Sequence, residues 1–383
     1  MRILFLASSA DFHVDLWVKY FTKNNKVYLF SDSQNYLEDQ TFENVELIKS
    51  NGYFGKLLNK LNVKNKKLFQ LNKLISVKYY ATKIDYIVKK NKIDIIHAHS
   101  LYFGFINYYI KSNVPKVFTP MGSDIILDSE NKKIYKYMAI KAYSGSNIVT
   151  GDSKLIQKKG FIYGAKKNKN YIIQNGVDTK FFYPKKNDLR ATLNVNKNEI
   201  LLFSPRALSP IYNIEIILYA VKVLSDKNIK LKCILTFAFG DEYTSNLKQI
   251  SKKLNIEKNL IWLGYKKYEE MAEIYNSSDI VVSIPSSDSS PKSVYEAILC
   301  KKPVIISDLD WSYEFFSDPL SILRITKIDH KELAKKIEYL IDNPNFKNLA
   351  IQKSFKIAKE NFDYVKNMKK LENIMFDKTK SIN

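Results

Sequence analysis

Short, wholly apolar runs recur along the chain, separated by longer stretches with helical periodicity. In the first half they are Ile3–Ala7, Val27–Ser31, Ile93–His97, Lys116–Thr119, Ile148–Thr150 and Tyr171–Ile173. In the second half they are Ile200–Ser204, Lys232–Phe237, Leu260–Leu263, Ile280–Ile284 and Val304–Ser307. Runs that are apolar on both faces and alternate with helices predict parallel strands buried between helical layers. With 383 residues to place, the pattern predicts an α/β fold of two doubly wound, Rossmann-like domains facing each other across a cleft. Asn-Gly and Tyr-Pro mark a boundary within Asn175–Lys186. The expected domains are therefore 1–178 and 187–345. An amphipathic tail, 346–383, is expected to cross back onto the first.

The richest stretch is Ile280–Val304, IVVSIPSSDSSPKSVYEAILCKKPV. It reads as a strand, a polar Pro/Ser loop, a helix starting near Pro291 or Lys292, and a further strand opening at Pro303. A helix N-terminus at the carboxyl end of a buried strand presents free amides to an anion. Asp288 and Glu296 bracket that helix start, and Glu296 lies a little over one turn into the helix. The arrangement suits a nucleoside diphosphate, with the phosphates at the helix start and a ribose at Glu296.

Charge changes the picture less than its size suggests. Net charge is +22, and all but four of the 61 basic residues are lysine. Abundant Lys, Asn and Ile is what an A+T-rich coding sequence produces. The excess is nevertheless uneven: residues 1–184 carry 29 basic against 14 acidic residues. The segment Lys56–Lys92 interleaves lysine with leucine and tyrosine. It reads as a pair of amphipathic covering helices, or as a surface for anionic lipid. No nucleic-acid motif accompanies the charge. Two cysteines, Cys233 and Cys300, far apart in sequence, suggest neither disulfide nor metal site and fit a reducing cytoplasm. The opening MRILFLASSADF is too short an apolar run for a secretion signal, and no run is long enough to span a bilayer.

Motif order over nearly the whole chain resembles the family 4 retaining glycosyltransferases, which have the GT-B fold. The matching pieces are MRILFLASS with FHVDLWVKYF, IDIIHAHS, VFTPMGSDI, NIVTGDSKLI with YIIQNGVDTKFFYP, SPRALSPIYNIEIIL, NLIWLGYKKYEEMAEIYNSSDIVVSIPSS, and the segment from Ile280 to Val304. In the last, Asp288 stands where the family has the first Glu of a Glu-x7-Glu pair. Other departures are a first loop, Ala7–Asp11, without glycine, Met121 where a His is usual, Ile211 or Tyr212 where a Lys is usual, and a Cys300-Lys301-Lys302-Pro303 run that lacks the Gly common before the strand.

The resemblance implies catalytic roles for Arg206, Asp288 and Glu296. Arg206 directly follows a strand, and a guanidinium holds a diphosphate bidentately; the plainer alternative is a salt-bridging loop arginine. Glu296 would take the ribose hydroxyls, or be an ordinary helix glutamate. Asp288 would contact the donor sugar near O3 or O4, or cap its loop. Ser289, Ser290, Lys292 and Ser293 are expected around the phosphates, Lys292 replacing the missing lysine charge or lying at the surface. Gly264, Tyr265 and Lys266 are expected beside the base, or form an ordinary turn. His13, His99, Ser123 and Asp124 are expected on the acceptor side, Asp124 binding a hydroxyl or capping the next helix. The pair His97-x-His99 shares a strand face, but no third ligand has metal-like spacing. Neither a metal nor another cofactor is expected.

The expected function is transfer of a sugar, with retention, from a UDP- or GDP-sugar to a polyprenyl-linked or other glycan acceptor in surface-polysaccharide assembly. The expected place is the cytoplasm, peripheral at the inner face of an anionic membrane. The alternatives are a nucleotide-sugar epimerase or hydrolase, an inactive GT-B binding protein, and a nucleic-acid binder suggested by charge alone. Turnover of free nucleotide sugar without acceptor distinguishes the first. Salt-steep binding to RNA or DNA distinguishes the last.

Overall fold

The structure, a computed structural model, describes residues 1–9, 12–31, 44–50, 66–122, 124–186, 189–236 and 242–381. For Phe12, His13, residues 66–71 and Lys73 it describes the backbone alone. The chain divides into two compact units, residues 1–173 with 365–383, and residues 174–364.

In the first unit the described elements run β1 (Arg2–Leu6), α1 (Phe12–Phe21), β2 (Lys26–Ser31), β3 (Val45–Lys49), α2 (Lys66–Asn91), β4 (Ile95–His99), α3 (Ser100–Tyr109) and β5 (Lys116–Thr119). A π-helical turn at Asp124–Asp128 leads to α4 (Lys133–Ser144), β6 (Ile148–Gly151), α5 (Lys154–Ile162) and β7 (Asn170–Ile172). The strands form one parallel sheet in the order β3-β2-β1-β4-β5-β6-β7. The direction of winding reverses between β1 and β4, so the carboxyl ends of those strands flank this sheet's switch point.

The second unit runs β8 (Ile200–Ser204), α6 (Ile214–Asp226), β9 (Leu231–Leu235), α7 (Glu242–Lys253), β10 (Leu260–Trp262), α8 (Tyr268–Ser277), β11 (Ile280–Ser283) and α9 (Lys292–Leu299). It continues with β12 (Val304–Ser307), β13 (Leu323–Ile325), α10 (His330–Asp342) and α11 (Pro344–Asn361). Its parallel sheet has the order β10-β9-β8-β11-β12-β13, with the switch point between β8 and β11. Alternate residues of each strand enter opposite cores. Leu202, Leu235, Val282 and Ile305 pack on one face, and Leu201, Phe203, Val281 and Ile306 on the other. Burial of both faces is the physical reason these strands read as unbroken apolar runs.

Several expectations need correction. Strand β4 is shifted two residues along, to Ile95–His99. Strands β3 and β13 were not among the expected runs. Val45–Lys49 is at most half-buried, and Arg324 interrupts β13, so neither edge strand makes an apolar run. Residues 175–186 do not lie outside the units: Val177 and Phe182 are buried in the second core. The tail divides as well. Helix α11 belongs to the second unit, and the chain enters the first only at Val365, within α12 (Tyr364–Lys380). There Glu372 accepts hydrogen bonds from Tyr20 and Asn25, at 3.2 and 2.8 Å.

Candidate active site

Arg206 and the loop before α9 leave the sheet from β8 and β11, the two strands that flank the second switch point. The loops are tied together locally. Asn213 sits at φ 53°, a left-handed position that asparagine tolerates better than most residues. Its Nδ2 donates to the Ile284 carbonyl at 2.8 Å and to the Ser286 hydroxyl at 2.9 Å, and the Ser286 amide donates to the Ile211 carbonyl at 2.8 Å. The Pro-Ile-Tyr-Asn turn after β8 thus pins the loop after β11.

The turn also places Tyr212 against Arg206, with the guanidinium 4.2 Å from the ring centroid. Arg206 Nη1 donates to the Ser293 hydroxyl at 3.1 Å, and Nη2 donates to Asp288 Oδ2 at 2.9 Å. The other Asp288 oxygen accepts the amides of Ser289 and Ser290, at 2.8 and 3.3 Å. Both members of the ion pair are mostly buried. Ser290 donates its hydroxyl proton to Gln174 Oε1 at 2.9 Å and lies 2.9 Å from the Tyr295 hydroxyl. At the start of α9, Pro291 brings no side-chain acceptor, and the Val294 amide turns back to the Pro291 carbonyl at 3.0 Å; a helix start of this kind carries the positive end of the helix dipole, which favours an anion.

Glu296 projects from α9 and is buried. Tyr275 donates to its Oε2 at 2.9 Å, and Lys292 Nζ stands 4.0 Å from its Oε1. Burial pushes the Glu296 carboxyl above its ordinary range, against the pull of the Lys292 charge. Burial pushes the Lys292 ammonium down, opposed by Glu296 and Asp178. Lys292 lies over the Tyr268 ring, 4.2 Å from its centroid. Its ammonium therefore lies against Glu296 and Tyr268 and is buried, which corrects the surface alternative. Beside β10, Gly264 has φ +36°, a region that favours glycine, although a Cβ there would meet open space. Tyr265 is exposed, a flat face available for stacking, and Lys266 pairs with Glu270 at 3.7 Å.

In the first unit the expected acceptor-side residues have divided roles. Ser123 and the His13 side chain lie outside the described residues. His99 is buried, its ring tilted against His97 at 4.3 Å between centroids and edge-on to Trp17 at 4.9 Å. His97 Nε2 bonds the Thr119 hydroxyl at 2.8 Å, and burial together with His99 holds its pKa well below the usual value. Asp124 does not cap the helix that follows it. Its carboxylate accepts the Leu101 amide at 2.7 Å, at the start of the earlier helix α3, and the Met121 amide at 3.1 Å. Burial raises its pKa to about 6 against those hydrogen bonds.

The sequence reading gave no roles to Tyr212, Asn213, Tyr268 or Tyr275. Only the first two carried a signal, in the Pro-x-Tyr-Asn turn after a strand.

A switch-point arginine and a helix start thus lie beside a buried carboxylate at the carboxyl ends of β8 and β11. The sequence model of Glycosyl transferases group 1 matches residues 185–357, and that of Glycosyltransferase Family 4 matches residues 18–181. The chain belongs to the family 4, group 1 glycosyltransferases and has their GT-B architecture of two parallel-sheet α/β domains. An uncharacterized glycosyltransferase of Methanocaldococcus jannaschii is 19% identical over 73% of this chain and 74% of its own length. The UDP-Gal:alpha-D-GlcNAc-diphosphoundecaprenol alpha-1,3-galactosyltransferase of Escherichia coli is 24% identical over 58% of this chain and 60% of its own. Among solved structures, Anabaena HepE in complex with UDP superposes with a TM-score of 0.79 at 19% identity, covering 98% of this chain and 100% of that one. A glycosyltransferase from Rickettsia africae gives 0.80 at 17% identity, covering 98% of each.

Proposed function

We propose that this glycosyltransferase moves a sugar, with retention, from a UDP- or GDP-sugar to a hydroxyl of a lipid-linked glycan in surface-polysaccharide assembly. One observation carries the reading: Arg206, two-pronged and stacked on Tyr212, converges with the amide-rich start of α9. Those groups neutralise the charge that builds on a departing diphosphate. Glu296, one turn into α9, is positioned to accept hydrogen bonds from ribose hydroxyls, and Tyr265 offers its ring to the base. In this reading Arg206 and the amides do the work of charge neutralisation, with no metal ion assigned. The leaving phosphate takes the proton of the acceptor hydroxyl as that oxygen attacks on the same face of the sugar, so no side-chain base is assigned.

UDP is the nucleotide held by Anabaena HepE, and the E. coli relative is named for a diphosphoundecaprenol acceptor. Both support the substrate class. Among the described residues no helix is long and apolar enough to cross a membrane. The exposed face of α2 combines Leu74, Ile75, Tyr79 and Tyr86 with Lys78, Lys89 and Lys90. That mixture suits a peripheral position on an anionic bilayer at the cytoplasmic side.

The test is thermal shift at fixed salt against UDP, GDP, ADP and their sugar conjugates. Stabilisation by one nucleotide that Arg206→Ala abolishes is the expected result. No shift with any nucleotide overturns the reading.

A further inference from the structure

We propose that Asp288 is an internal stand-in for the donor phosphate, exchanged for it on binding, and so makes the site favour the intact nucleotide sugar over the free nucleotide. The inference rests on the function proposed above and concerns the same site. Three donors are already taken in the structure: Arg206 Nη2 by Asp288 Oδ2, and the Ser289 and Ser290 amides by Asp288 Oδ1. They are donors of the kind a diphosphate needs at a helix start. A carboxylate and a phosphate cannot share them, because two anions at one point repel.

Arg206 has reasons to stay where it is. The Ser293 hydroxyl holds its other nitrogen at 3.1 Å, and Tyr212 covers its face. Asp288 instead sits in the Ser-Ser-Asp-Ser-Ser loop between Pro285 and Pro291, outside any helix or strand. When phosphate arrives, the aspartate is therefore the partner that yields. A displaced carboxylate needs new hydrogen-bond donors, and the hydroxyls of a sugar on the diphosphate supply them. With a nucleotide alone, the carboxylate is left beside the phosphates without such donors. The same charge thus opposes free nucleotide and rewards the conjugate, which also favours release of the nucleotide product. It further keeps Arg206 neutralised, so the empty site attracts ordinary cellular phosphate less than a bare arginine does.

The experiment is calorimetric titration of the full chain at fixed ionic strength. The ligands are inorganic pyrophosphate, the nucleoside diphosphate chosen by the thermal-shift panel, and its sugar conjugate. Wild type is compared with Asp288→Asn and Asp288→Ser, two variants so that one folding failure does not end the test. The expected result is that pyrophosphate and nucleotide bind the variants about tenfold tighter, while the advantage of the conjugate over the nucleotide shrinks. Unchanged or weaker nucleotide binding in variants that melt like wild type overturns the exchange and leaves the proposed function standing. Wild type that binds none of the three ligands overturns both.

Discussion

Replacing Arg206 by lysine keeps the charge and removes the fork, so it separates geometry from electrostatics. In the structure the guanidinium reaches Ser293 Oγ and Asp288 Oδ2 with different nitrogens while its face covers Tyr212. A single ammonium cannot hold two such directions and stack at once. One charge-assisted hydrogen bond to a bound diphosphate is lost, worth about 1.5–3 kcal/mol. Most of the stacking on Tyr212, about 0.5–1 kcal/mol, goes with it. Together these come to roughly 2–4 kcal/mol, or about 30- to 1,000-fold in affinity and in transfer rate. Titration calorimetry with the nucleotide and initial-rate transfer assays read the two quantities. Because Arg206 lies outside the strands and helices and a lysine keeps a positive charge opposite Asp288, the variant is expected to melt within a few degrees of wild type. A lysine variant within about threefold of wild type in both assays would refute the argument, since a bare positive charge would then suffice.

Three further outcomes follow from other contacts. Tyr275→Phe leaves Glu296 Oε2 without its buried donor; urea unfolding is expected to show a loss of about 1–3 kcal/mol, and an unchanged midpoint would show that water replaces the hydroxyl. Gly176→Ala places a Cβ 2.6 Å from the Tyr364 Cα at φ +69°, where the Val177 amide and carbonyl bond the backbone of Phe362 and Tyr364. The strain is expected to cost about 2–4 kcal/mol, read by calorimetric melting. Asp124 has its folded pKa raised to about 6, so the stability linked to its proton is complete below the unfolded value near 3.8 and is lost as pH rises through 6. Asp124→Asn removes that dependence. The unfolding free energy of the variant relative to wild type should therefore rise by up to about 3 kcal/mol between pH 4 and pH 7, and a flat difference would show that Asp124 is not held up by burial.

Much of this molecule is written in local pattern. Ile3–Leu6, Leu201–Phe203 and Val281–Val282 are apolar at every position because both faces of their sheets are covered, and that gives the fold class from the sequence. Arg206 and the start of α9 are legible for a related reason: a strand end followed at once by a turn or a helix lies at the ligand-facing edge of a parallel sheet. Strands β3 and β13 escaped because edge strands are only partly buried and lose the apolar run.

Tertiary contacts decided the rest. Arg206 meets Asp288 and Ser293 from 82 and 87 residues away, and Glu296 receives Tyr275 from 21. Asp124 accepts the amide of Leu101, 23 residues before it, at the start of α3. Lys292 is buried against Glu296 and Tyr268, not at the surface, because an ammonium taken out of water needs a carboxylate or a ring face to lie against. Partners so distant leave no periodic trace in either segment. Their meeting depends on the order of strands across the sheet, which forms only when the whole unit has packed.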